Sequence, residues 1–356
     1  MHGGRGDRVA CVTLREILAK LSPGTPLRDG LERIQRGRSG GLIVLGDPPE
    51  VTKICDGGVT FDAPFSPTLL RELSKMDGAV ILSADGSRIT RANVQLVPSP
   101  EYLTVESGTR HRAAERTALQ TGVPVVSVSA SMNTVTLYHD GTRHRLEESA
   151  VLIARANQAL STIERYRQRL DMANQRLFVA EMNGYATVGD VVGTLQRQMM
   201  LERAAMDLDL TIVELGSDAR QLILQLTELE GSNATDIEML VRDYIAADTV
   251  PADEQVAHAV RALEALPDAE LLHSSALARQ LGLPASEENL MQSVVPRGYR
   301  ALSRVPRVQK FLMDHIVSAF GELPAIVNAT PEELASANHV SGLWARHIAE
   351  GLRRIS

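Results

Sequence analysis

Asp77-Gly78-Ala79-Val80-Ile81-Leu82-Ser83-Ala84-Asp85-Gly86 holds a short apolar run between two Asp-Gly pairs. A run of that length, closed by turn residues at both ends, reads as a buried strand rather than a helix. Upstream, Gly41-Leu42-Ile43-Val44-Leu45-Gly46 repeats the pattern between two glycines. Thr13–Leu21 and Leu27–Arg36 have helical spacing, the second opening after Pro26. Downstream, Ile89–Val97 reads as a strand returning from the Asp85-Gly86 turn. Arg110–Gln120 reads as a helix that Gly122 can end. Val123–Ser129 and Thr134–Tyr138 are further strands, with Asp140-Gly141 as a hairpin turn. Residues 1–148 are therefore expected to form an α/β domain with a mixed sheet, able to fold as an isolated segment.

From Ser149 the pattern changes. Residues 150–180 are rich in Ala, Leu, Gln and Arg at helical spacing, without Gly or Pro. Helical signals continue through 190–209, 217–230, 234–247, 253–266 and 269–281, so 149–290 is expected to be an all-helical spine without visible chemistry. Gln168, Arg169 and Asp171 read as its solvated face. Residues 291–356 hold two short-turn helical pairs. Arg300–Arg304 leads through 305–308 to Gln309–Phe320, and Pro331–Ala335 leads through 337–341 to Leu343–Leu352. The tandem resembles a helix-hairpin-helix DNA-binding module.

The 356 residues suffice for two or three domains, and 44% hydrophobic with 23% charged residues is ordinary for a soluble globular protein. A net charge of −7 argues against a surface that coats nucleic acid throughout. The charge is uneven: residues 291–356 carry eight Lys/Arg against five acids, a balance of +3, which leaves −10 on the preceding 290. A basic module on an acidic body points to a local anionic partner. Aromatic residues at 3% disfavour a stacking platform for single strands. Cys11 and Cys55 form no C-x-x-C pair, so neither a zinc site nor a disulfide framework is expected, which fits a reducing cytoplasm. No apolar h-region follows Met1 and no apolar run approaches the roughly 18 residues of a membrane span, so neither a secretory signal nor a membrane association is expected. The phosphate loop G-x-x-x-x-G-K-[ST], a strand-linked G-x-G-x-x-G, zinc-spaced His/Cys and a G-x-S-x-G elbow are all missing from the sequence.

Two short motifs carry the chemistry. Asp77-Gly78 supplies a carboxylate for Mg²⁺ or Mn²⁺ and a glycine that permits close backbone approach, although Asp-Gly is also a common turn. Thr109-Arg110-His111-Arg112 opens a helix with Thr109 as N-cap, placing two arginines where the helix dipole disfavours them. Such a choice is understandable where an anion compensates, since helix N-termini attract phosphate. A carboxylate for a metal together with cations for phosphate equips a site for nucleotidyl transfer.

On Asp77-Gly78-Ala79, Asn93-Val94-Gln95-Leu96-Val97-Pro98, Gly108–Arg116 and Gln120-Thr121-Gly122, the chain resembles the diadenylate cyclase family. The likeness extends through the spine to Pro296-Arg297-Gly298-Tyr299-Arg300 and Trp344-Ala345-Arg346-His347, and this three-part order is that of the DisA class. The resemblance implies condensation of two ATP into cyclic di-AMP, a bacterial second messenger, with release of two pyrophosphates. It implies catalytic roles for Asp77, Arg110, His111 and Arg112, with the metal at Asp77. It places ATP against Gly78, Leu96, Thr109, Arg110, His111, Arg112, Ala113 and Ser127, with Ser129 as the alternative on that strand. It implies a homo-octamer assembled by the spine so that two sites face each other, and DNA-damage sensing by the last module. Arg304, Arg307, Lys310, His339, Ser341 and Arg346 would make weak contacts to branched DNA. The hairpins depart from the Gly-apolar-Gly pattern, reading Arg304-Val305-Pro306 in the first and His339-Val340-Ser341 in the second. The alternative function is a DNA-junction sensor whose nucleotide domain binds ATP or cyclic di-AMP without appreciable catalysis.

Overall fold

The computed structural model describes residues 13–231, 233–247 and 250–355. Cys11 and the stretch after Met1 lie outside the described residues. The chain divides into two compact units, one of residues up to Gln158 with Leu208–Leu224, the other of Ala159–Asp207 with Gln225 onward.

In the first unit, α1 (Leu14–Leu21) and α2 (Pro26–Arg36) precede β1 (Gly41–Leu45). Then come α3 (Pro49–Thr52), β2 (Cys55–Asp56), β3 (Val59–Pro64), α4 (Pro67–Leu73), β4 (Ala79–Leu82) and β5 (Arg88–Leu96). The set ends with α5 (Thr109–Thr121), β6 (Val125–Ser129), β7 (Thr134–His139) and β8 (Thr142–Leu146). The strands form one sheet in the order β2-β5-β4-β1-β6-β7-β8, with β3 also paired to β5. β1 and β4 run parallel while the other pairs are antiparallel, so the sheet is mixed as expected.

Alternation along each strand builds two cores, one on each face of the sheet. Ile43, Val80, Leu82, Val126 and Val128 pack with α1, α2 and α4. Leu42, Val44, Ala79, Ile81, Val94 and Val125 pack with Ala114 and Ala118 of α5. Ile43, Ile81 and Leu82 are fully buried, each stabilising the fold by roughly 2 kcal/mol through transfer from water. Thr13 caps α1 in a complete capping box, and Pro26 occupies the first turn of α2. Gly122 closes α5 in the left-handed conformation, and the β7–β8 turn has positive φ at both Asp140 and Gly141, as a type I′ hairpin requires. β2 and β3 carry none of the expected strand signals.

The remaining elements are helical. α6 (Ser149–Met182) and α7 (Val188–Leu215) are long, and the chain passes from one unit to the other within them. In the second unit, α8 (Arg220–Glu230, beginning in the first), α9 (Asn233–Tyr244) and α10 (Asp253–Glu264) follow. The region expected as one helix over 269–281 is two, α11 (Asp268–Leu271) and α12 (Ser274–Gln280). The last residues form α13 (Tyr299–Ser303), α14 (Lys310–Phe320), α15 (Leu323–Asn328), α16 (Pro331–Leu334) and α17 (Gly342–Ile355), sharing one core with Phe178 of α6 and Met239 of α9. Among the described residues no helix is long and apolar enough to cross a membrane.

Candidate functional site

The parallel pairing of β1 with β4 brings the two motifs together. Ile43 is opposite Val80, so Gly40, directly before β1, and Asp77, two residues before β4, lie at the same end of neighbouring strands. Gly40 is where Arg110 lies: a Cβ there would fall on the Arg110 guanidinium. A carboxylate and a guanidinium 33 residues apart in sequence are thus carried to the same end of two neighbouring parallel strands. Gly40 was not singled out from the sequence, because nothing local to it signals a partner on α5.

Asp77 is exposed. Gly78 has φ +115°, and a Cβ there would lie 2.8 Å from the Asn93 carbonyl carbon and from the Val94 oxygen. Its first requirement is therefore the backbone of β5. Two steps on β4, Ala79 to Ile81, face three on β5, Val94 to Arg91, and the extra residues include Asn93 at φ +56°. This is a β-bulge, a device common beside functional sites, and it sets the exposed Asn93 next to Gly78.

The start of α5 corrects one expectation. Gly108, not Thr109, is the N-cap, at φ −78° and ψ 135°, with no side-chain cap bond, and Thr109 is the first helical residue. Glycine offers no capping oxygen, so the amides of the first turn are left for another acceptor. Arg110 is half-buried and Arg112 exposed. His111 is 9% exposed and turned inward, with Nδ1 2.9 Å from Tyr138 Oη. Tyr138 in turn donates to Glu106 Oε1 at 2.8 Å, and Arg143 Nη1 lies 3.0 Å from the same oxygen. Burial lowers the His111 pKa; Arg143 and Arg110 push the same way against Glu106. Burial and the bond to Glu106 raise that of Tyr138. Burial thus favours the neutral imidazole, and His111 is not a third exposed cation. The Glu106–Tyr138–Arg143 chain carried no sequence signal, since its members lie on three separate elements.

Leu96 sits at the end of β5 opposite Cys55, and both pack with Val51 and the half-buried Ala113 in the core on the α5 face. Ser127 is fully buried and its Oγ has no hydrogen-bond partner. Alternation with Val125 turns it to the α5 face. Ser129 shares that face, but its hydroxyl accepts from the Met132 amide at 3.3 Å in the β6–β7 turn. Among the described residues no three His, Cys, Asp or Glu side chains cluster to hold a metal. A lone exposed carboxylate still fits Mg²⁺, which keeps several waters and draws other ligands from substrate phosphates.

The residues assigned to DNA are more engaged than their charges suggest. Arg304 stacks over the Phe178 ring, 3.7 Å from its centroid. Lys310 is paired with Asp253 and lies 3.8 Å from Asp314. Arg346 is exposed on α17, and the Ser341 hydroxyl accepts from the Trp344 amide at 3.4 Å. The His339 ring is tilted against Phe311 and meets His315 edge-on. The first hairpin also needs a new register. The left-handed residue is Arg307, at φ +67°, and Gln309 is the N-cap of α14, which makes the triplet Arg307-Val308-Gln309 rather than Arg304-Val305-Pro306. It then matches His339-Val340-Ser341, where His339 has φ +63° and Val340, like Val308, is buried.

The chain is similar to known proteins along nearly its whole length. Residues 28–143 match the family described as "DisA bacterial checkpoint controller nucleotide-binding", and residues 146–290 match the "DisA bacterial checkpoint controller linker region". The chain is 57% identical over 344 residues to the DNA integrity scanning protein DisA of Corynebacterium efficiens, covering 97% of each chain. It is 56% identical to that of Corynebacterium glutamicum strain R (97% of this chain and 94% of the relative) and 46% identical to that of Streptomyces coelicolor (96% and 92%).

Proposed function

The chain belongs to the family of the DNA integrity scanning protein DisA, and from that membership and the site geometry we propose that it is a diadenylate cyclase. Two ATP condense into cyclic di-AMP with release of two pyrophosphates. The observation that carries this reading is the seating of the Arg110 guanidinium against Gly40, beside the uncapped start of α5 and at the same end of the β1–β4 pair as Asp77.

In this reading Arg110, Arg112 and the first-turn amides from Thr109 onward hold the phosphates, where charge-assisted bonds and the helix dipole act together. Leu96 and Ala113 flank the base, Gly78 and Asn93 shape the backbone beside the ribose, and the Ser127 hydroxyl faces the phosphates. Asp77 would hold Mg²⁺ or Mn²⁺, which lowers the cost of forming the attacking alkoxide when bound. One site with one ATP cannot close the ring. Two nucleotide domains must therefore face each other, and a homo-octamer built through residues 149–290 supplies that arrangement. The chain would act in the cytoplasm.

For residues 291–356 we propose a helix-hairpin-helix module that senses branched DNA and regulates synthesis. The support is the repeat of a left-handed residue, a buried valine and an N-cap in both turns. The basic excess favours salt-dependent binding.

The deciding experiment incubates the purified protein with ATP and Mn²⁺ or Mg²⁺ and detects product by mass. Cyclic di-AMP from the wild type and none from Asp77→Asn, with ATP binding retained in the variant, supports the assignment. Wild-type turnover in Asp77→Asn would remove Asp77 from the mechanism. Anisotropy with a labelled four-way junction at two salt concentrations tests the last module.

A further inference from the structure

His111 ends a chain of polar groups that phosphate binding does not explain. Glu106 pairs with Arg143 at 3.0 Å, and in that ion pair its carboxylate only accepts. Tyr138 has one hydroxyl hydrogen, and the 2.8 Å distance to Glu106 Oε1 commits it there. The 2.9 Å contact between Tyr138 Oη and His111 Nδ1 must then take its hydrogen from the imidazole. With the proton on Nδ1, a neutral ring has a bare Nε2. That atom is buried and has no hydrogen-bond partner. A core histidine satisfied at one nitrogen would leave this buried acceptor without a partner, which is destabilising and calls for a reason. Its position supplies one. Cδ2, the carbon bonded to Nε2, lies 3.5 Å from where a Gly108 Cβ would stand, so this edge of the ring borders the uncapped start of α5.

We propose that Glu106 and Tyr138 are positioning residues that hold His111 as the Nδ1–H tautomer, so that Nε2 accepts a hydrogen from a hydroxyl of the bound nucleotide. The identity of that hydroxyl rests on the cyclase reading. There the ribose 3′ O–H bond breaks and an Nε2–H bond forms. The freed oxygen pair attacks the α-phosphorus of the other ATP, the bond to the bridging oxygen breaks, and pyrophosphate leaves with that electron pair. The imidazolium, flanked by Glu106, then returns its proton to solvent.

The tautomer is measurable without turnover. ¹⁵N-histidine solid-state NMR on the full-length protein, with the His111 signals assigned by their loss in His111→Gln, is expected to show Nδ1 protonated and Nε2 bare at neutral pH. A wild-type His111 protonated at Nε2, or at both nitrogens, overturns the proposal whatever the activity. In Tyr138→Phe the Nδ1–H preference is expected to disappear and kcat to fall at least about tenfold with KM for ATP within about twofold, because acid–base contributions appear in kcat. An unchanged kcat with a scrambled tautomer removes the hydrogen-accepting role. If Tyr138→Phe does not fold, Glu106→Ala on the loop serves instead: the Tyr138 hydrogen is released toward Nδ1, and the tautomer is expected to invert. A wild type that makes no cyclic di-AMP overturns the cyclase reading, while the NMR result still decides the positioning of His111.

Discussion

At the scale of single residues, two glycines show what spacing in sequence conveys and what it conceals. Gly78 was legible because it follows Asp77 in a motif. Its physical necessity comes from elsewhere, in a φ of +115° and the β5 backbone 2.8 Å from any Cβ. Gly78→Ala is therefore expected to destabilise the first unit by about 2–4 kcal/mol, from backbone strain plus a clash that no side-chain rotation relieves. A thermal melt within a degree of wild type would show that the bulge at Asn93 yields. Gly40 was illegible, since the group it accommodates lies 70 positions away on α5. Here the obstructing atoms are the tip of a flexible side chain. Gly40→Ala should thus leave the melt nearly unchanged, while Arg110 moves off its seat and ATP affinity falls roughly tenfold, the worth of one charge-assisted contact. Unaltered affinity, by isothermal titration with a non-reacting ATP analogue, would show that Arg110 binds phosphate from some other position.

At the scale of elements, legibility followed burial. β1, β4 and β6 are covered on both faces and read as apolar runs. β3 lies exposed along most of its length, with Val59 and Phe61 turned to solvent, and no alternation betrays it. The cap of α13 was equally silent, because it comes from another helix. Asp243 at the end of α9 accepts from the amides of Gly298, Tyr299 and Arg300 at 2.7, 2.7 and 2.9 Å, and it is 1% exposed. Asp243→Ala would strand three buried donors and is expected to cost about 3–5 kcal/mol, in the range of breaking a buried charged network. Chemical denaturation of the full chain would measure it, and a loss under 1 kcal/mol would show that water replaces the carboxylate. The hairpin turns lack glycine yet hold Arg307 and His339 in the left-handed region. A β-branched residue tolerates that region poorly, so Arg307→Val should destabilise by about 1–2 kcal/mol while Arg307→Gly should not. Equal melts for the two would mean the turn relaxes to negative φ.

At the scale of the whole molecule, the order of a sheet domain, a helical region and closing helical pairs could be read along the chain, but the return of one segment could not. Leu208–Leu224, far from the sheet in sequence, belongs to the first unit. Leu215 and Ala219 are fully buried, and Val213 packs against the core formed with α1 and α2. Glu214, 4% exposed, lies 2.9 Å from His144 Nε2 and accepts from the Glu147 amide at 3.1 Å. A fragment of residues 1–148 forfeits all of this, so the sequence-based expectation that it folds alone needs amending. It is expected to melt well below a fragment of residues 1–224 and to expose the apolar face that Val213 covers. Glu214 also gives the junction a pH signature. Burial resists its ionisation, but the bonds from His144 and the Glu147 amide outweigh burial and hold its pKa below the ordinary value. A carboxyl with a depressed folded pKa contributes stability that is full above its unfolded pKa of about 4.3 and is lost as pH falls through the folded value. Glu214→Gln keeps the shape and removes the charge. Its stability relative to wild type should therefore be lower at pH 7, by about 1–2 kcal/mol for hydrogen bonds to a charged group, and the gap should close as the pH falls below 4. A gap of constant size from pH 7 to pH 3, measured by denaturation of the full chain, would mean that Glu214 joins the segment to the domain by packing and not by its charge.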